Sequence, residues 1–98
     1  MDNEIRHILS FVENTKCLFE RNGTLYEGQD ATTHIIKKYN YFKDEIDNTE
    51  KFIELSATKS TMSGKYYLIH CPDKESIRSR DWLYKELLRF RQSTKARK

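Results

Sequence analysis

No set of residues in this chain spells out a reaction, and the serines, the histidines and the cations are the types that matter most. A serine hydroxyl becomes a nucleophile only beside a base. His34 with Ser60 or Ser63 is therefore the pairing that would suit a small hydrolase or transferase. A different chemistry follows if these residues share a concavity with their cationic neighbours. Arg21 adjoins the Asn22-Gly23 turn, His34 and Lys38 lie one helical turn apart, and Ser60, Ser63 and Lys65 sit on a second turn. Cations and hydroxyls gathered together suit an anion or a carbonyl group. The same residues also have a purely structural reading. Arg21 would cover a sheet edge, Ser60 and Ser63 would satisfy backbone groups at a helix end, and Lys38 would extend past Tyr39.

Other patterns carry less. His7, His34 and His70 have no His-x-x-x-His or paired-cysteine spacing, and His70 and Cys71 are neighbours that a strand points to opposite faces. Neither a metal nor a cofactor is expected. Ser56-Ala57-Thr58-Lys59 matches the Ser-x-x-Lys of penicillin-recognising enzymes, but that motif needs a large two-domain cleft around it. Ser63-Gly64-Lys65 lacks the earlier glycine and the following hydroxyl of a phosphate-binding loop. Cys17 and Cys71 form no Cys-x-x-Cys, so a redox role is not expected.

The elements that must position these residues are legible from periodicity. Ile5, Ile8, Leu9 and Val12 mark one face of a helix over Asn3 to Asn14. Cys17 to Arg21 reads as a strand, Asn22-Gly23 as a tight hairpin turn, and Thr24 to Tyr26 as the return strand. A second helix starts near Asp30, with Ala31, Ile35, Tyr39, Phe42 and Ile46 as its apolar stripe. The spacing Asp47 to Glu50 restarts a third helix that runs out around Ser60. Tyr66 to Cys71 is the best strand and Pro72 ends it. Ser79 caps a last helix that buries Trp82, Leu83, Leu87 and Phe90. The order predicts an α+β domain of about four helices on a small two- or three-stranded antiparallel sheet.

Composition sets the outer bounds. The 98 residues are 37% hydrophobic and 34% charged with twelve aromatics, which is one folded domain, residues 1–98. Residues 92–98 read as a disordered basic tail. No apolar run reaches the ~20 residues of a membrane span. Met1 leads straight into Asp2-Asn3-Glu4, so no signal peptide is expected in this chain. From Arg78 onward eight Lys/Arg face only Asp81 and Glu86, whereas the earlier residues are net acidic. Nucleic-acid binding through the last helix is thus conceivable but not expected, because such a tail carries no base-reading chemistry.

Cys17 to Gly23, Ala31 to Tyr39, Thr49 to Ile53, Thr58 to Tyr67, Cys71-Pro72 and Trp82-Leu83 follow a family pattern in order along nearly the whole chain. In these segments the sequence resembles a family of small, mostly exported proteobacterial proteins with no assigned activity. Two mild departures are Ile35 where Leu is usual and Thr58 where a Ser is usual. The resemblance implies a periplasmic or otherwise exported home, with a cytoplasmic one the alternative. In an oxidising compartment Cys17 and Cys71, at strand ends of a small domain, are expected to pair. The leading expectation is then a non-enzymatic domain that binds a protein partner or an anionic envelope component. The patch Arg21, Asn22, His34, Lys38, Ser60, Ser63 and Lys65 would carry that binding.

Overall fold

The structure, a computed structural model, describes residues 3–96. Helix α1 (Asn3–Glu13) leads to strands β1 (Leu18–Arg21) and β2 (Thr24–Tyr26), then to α2 (Gly28–Tyr41) and a 3-10 turn (Lys43–Glu45). Helix α3 (Thr49–Ser56), strands β3 (Leu68–His70) and β4 (Ile77–Arg78) and helix α4 (Ser79–Ala96) complete the chain. Among the described residues this is an α+β fold of four helices on one antiparallel sheet, in the order β2-β1-β3-β4.

The sheet has four strands where two or three were expected. The extra strand is Ile77–Arg78, which is too short to show a period and follows a polar loop. Strand β3 is also shorter than Tyr66 to Cys71. Tyr66 bridges Lys59 instead, the Tyr67 amide donates to the Thr58 carbonyl, and the Ser79 amide donates to the Tyr67 carbonyl. Helix α2 starts two residues before Asp30 and closes at Phe42, and Ile46 lies beyond the 3-10 turn. Helix α3 is capped by Asn48, whose side chain accepts from the Lys51 amide at 2.7 Å. It stops at Ser56 rather than Ser60, because Ala57 leaves helical geometry and the Thr58 hydroxyl takes up the Ile53 carbonyl. Ser79 opens α4, but its hydroxyl donates to the Ala57 carbonyl at 2.6 Å and so ties α4 to the end of α3. The last helix runs on past Gln92 to Ala96, and Arg97 and Lys98 lie outside the described residues.

Alternation along the strands decides which sheet face meets the helices. Phe19 and Ile69 stand opposite one another and are buried, joining Ile8, Val12, Phe52, Ile53, Leu83 and Leu87 in one core. Each such side chain contributes about 1.5–3 kcal/mol by leaving water. The other face carries Glu20, Leu25, Leu68 and His70, none of them buried. Arg21 and Tyr67 each lie two residues from a buried inward position, so both point to the helical side at its margin. Cys17 and Cys71 flank the Leu18–His70 pair and form a disulfide with their Cα atoms 4.3 Å apart. That spacing suits directly opposed residues of a non-hydrogen-bonded antiparallel pair.

Candidate functional site

The β1–β2 hairpin and α2 enclose a cleft of about 320 Å³. Its apolar floor is made by Phe19, Ala31 and Ile35, and Arg21, Tyr26, His34 and Tyr67 stand around it. The hairpin brings Arg21 here. Asn22 (φ 52°) and Gly23 (φ 82°) are both left-handed, which makes a type I′ turn that keeps β1 and β2 in register and puts Arg21 opposite Thr24.

The polar side chains form a connected cluster. Lys38 is only 8% exposed, and its ammonium donates to the Lys59 carbonyl at 2.7 Å and to the Tyr67 hydroxyl at 3.2 Å. The Tyr67 hydroxyl lies 3.2 Å from His34 Nε2. Arg21 Nη1 lies 3.1 Å from the same nitrogen, and Nη2 donates to the Tyr26 hydroxyl at 3.3 Å. Nη1 also lies 3.3 Å from Nδ1, so a cation stands against the ring and disfavours a second positive charge on it. Burial first, then the nearby charges of Arg21, Lys38 and Lys37, push the His34 pKa down and keep it neutral at pH 7. Burial, helped by Arg21, lowers Lys38 from 10.5 to about 8. Burial raises Tyr67, with Arg21 opposing it, so the phenol stays protonated.

The cluster gathers cations without their usual counter-ions. Among the described residues neither Arg21 nor Lys38 has a carboxylate partner. Elsewhere Arg89 pairs with Glu86, and Arg91 reaches both Glu4 and Glu50. Among the described residues one carboxylate lines the cleft: Asp30 stands two helical turns before Lys37, whereas the Glu20 side chain turns to the other sheet face, where His70 holds it at 2.8 Å.

The patch anticipated from sequence divides in two. Arg21, His34 and Lys38 converge as described, with Lys38 buried behind the cleft rather than at its rim. Asn22, Ser60 and Ser63 instead lock the hairpin tip to the following loop. Ser63 Oγ donates to Asn22 Oδ1 at 2.6 Å, and Asn22 Nδ2 donates to Ser60 Oγ at 3.4 Å. Ser60 Oγ also accepts from the Met62 and Ser63 amides, which is the structural reading of that serine. Neither serine is hydrogen-bonded to His34 among the described residues. Lys65 is exposed on the loop and does not line the cleft. The two other histidines are separate, His7 on Glu86 at 2.6 Å and His70 on Glu20. Sequence reading missed Tyr67 and Tyr26. Two-residue alternation back from Ile69 would have put Tyr67 on the inward face.

A model of a family of unknown function (DUF5329) matches residues 1–91, which span every element of the fold up to the body of α4. The chain belongs to this family. No curated protein and no solved structure matches it. The family's matched span includes the hairpin, α2 and the Tyr67 strand, so the whole cleft lies within it. No helix among the described residues is long and apolar enough to cross a membrane.

Proposed function

We propose that the domain is a non-enzymatic binding module that takes an anionic group with an apolar body into the cleft between the hairpin and α2. One observation carries this reading: Arg21 and Lys38 converge at the cleft without a carboxylate partner among the described residues. Arg21 has five N–H donors and does not use all of them on His34 and Tyr26, so it anchors the anion. Lys38 adds positive potential from behind, and the neutral His34 and Tyr67 supply further polar contacts. Phe19, Ala31 and Ile35 take up the apolar body. The same reading has the domain act in an oxidising compartment such as the periplasm, which the Cys17–Cys71 disulfide and the sequence resemblance favour. The ligand then belongs to a protein partner or an envelope component.

Titration with hexanoate and with hexanamide, followed by NMR, tests the anion site. A charge-assisted hydrogen bond contributes about 1.5–3 kcal/mol, which corresponds to roughly tenfold or more in affinity. Hexanoate is expected to shift the resonances of Arg21, His34 and Tyr67 saturably, and the amide to bind at least tenfold more weakly. Arg21→Gln should abolish that preference. Equal shifts by acid and amide, or shifts confined to residues outside the cleft, would sink the reading.

A further inference from the structure

The cleft adjoins a free strand edge, since Tyr26 of β2 is part of its lining. Strand β2 is at the margin of the sheet and, among the described residues, pairs only with β1. In a two-residue hairpin the pair flanking the turn, here Arg21 and Thr24, exchanges its hydrogen bonds, and so does the Phe19–Tyr26 pair. Alternation then turns the Glu20 backbone toward β3 and the Leu25 backbone away from β1. The other side of the sheet agrees with this phase, since the Tyr67 amide and carbonyl face away from β1 toward Thr58 and Ser79. Leu25 is 53% exposed, and no backbone bond from it is made to any other segment among the described residues.

Helix α2 forms the opposite wall. Its cleft-lining residues Asp30, Thr33, His34 and Lys37 share one face. They run over eight residues, about 10 Å from first to last at the rise of a helix, long enough to flank the three-residue strand β2. The groove is also polarised. Arg21, His34 and Lys37 stand toward the hairpin tip, and Asp30 stands at the other end, near where β2 runs into α2.

From this geometry we infer that the occupant is the C-terminal end of a partner polypeptide, which adds to the β2 edge as an antiparallel strand with its free carboxylate at Arg21 and His34. The direction follows from charge. β2 runs away from the tip, the carboxylate belongs at the cationic tip, and so the added strand runs opposite to β2. Leu25 supplies the main-chain bonds, and the apolar floor takes the last side chain. The inference rests on the anion-binding reading and specifies which anion it is.

Two dye-labelled hexapeptide pools, randomised at their last two positions, test it; one ends in a free carboxylate and the other in an amide. The acid pool should bind at least tenfold more tightly than the amide pool. Leu25→Pro removes the outward amide without touching the β1 ladder and should cost at least tenfold, as should Thr33→Trp, which fills the groove from the helix side. Circular dichroism and the melting temperature identify any variant that fails to fold, and the two variants alter different elements. Equal binding of both pools, or no binding by either, overturns the inference. So does full binding by both folded variants. Hexanoate binding that persists in those cases leaves the anion site standing, whereas its loss removes both readings. Concentration-dependent dimerisation that Leu25→Pro abolishes would assign the edge to a second copy of the chain instead.

Discussion

Lys38 shows how one residue connects site and stability. Its ammonium is buried without a carboxylate and satisfied by a carbonyl and a phenol. Its folded pKa of about 8 lies below the ordinary 10.5. Between these values the unfolded chain holds a proton that the folded chain has released, so this group makes stability rise with pH across that window. Below about pH 8 both states are charged, and the cost of burying the charge is constant. Urea unfolding of wild type and Lys38→Met at pH 7, 8.5 and 10 checks this. The difference between the two should be flat below pH 8 and should turn in favour of wild type above it. Parallel curves throughout would show that Lys38 titrates normally. Ligand binding should have the opposite trend, weakening as pH rises through about 8, because the same proton supplies potential for the anion.

Among the elements, the joint between α1 and α2 sets where the cleft wall stands. Gly28, the first residue of α2, packs against the end of α1 so closely that an added Cβ would collide with the Val12 carbonyl oxygen and lie 3.0 Å from the Glu13 carbonyl oxygen. Both obstacles are backbone, which cannot swing aside as a side chain would. Gly28→Ala is therefore expected to destabilise by about 1–3 kcal/mol despite the better helix propensity of alanine. Thermal unfolding monitors that loss, and an unchanged melting temperature would mean that α2 can shift away from α1. The far end of α1 is fastened differently. Arg91 of α4 reaches Glu4 of α1 and Glu50 of α3, and the Thr49 hydroxyl also donates to Glu4. Those arginine contacts lower the Glu4 carboxyl to about 2. They also commit Arg91, one of the cations that give α4 its basic character, to partners within the fold.

At the scale of the whole molecule, the disulfide spans 54 residues and fixes β1 to β3 at the base of the sheet. In the chain-entropy model, closing a loop of that length stabilises by about 4 kcal/mol. For a domain of this size that is a large share of a typical total of about 5–15 kcal/mol. Reduction, or the paired change Cys17→Ser with Cys71→Ser, should lower the denaturant midpoint markedly. It should also weaken hexanoate binding, because Phe19 and Arg21 follow Cys17 on one strand and Tyr67 precedes Cys71 on the other. An unaltered midpoint after full reduction would show that the core alone holds the two strands together.

The sequence by itself determined the four helices, the hairpin and β3, and with them most of the core. The helical spacing of apolar residues in α1, the Asn22-Gly23 turn and the β-rich run that ends at Pro72 are local signals, and each acts over a few residues. It also suggested the cysteine pair through the family resemblance, and it singled out Arg21, His34 and Lys38 as candidates. Only the tertiary structure decided which candidates meet. Strand β4 is two residues long and exists because β3 offers it a partner. Tyr67 matters because its hydroxyl falls between Lys38 and His34, residues some thirty positions away. Ser60 and Ser63 turn from the histidine to Asn22 because the hairpin tip lies within reach of their hydroxyls. Periodicity reports which side of an element faces inward. It does not report what the side chain finds there, since that depends on contacts between distant parts of the chain.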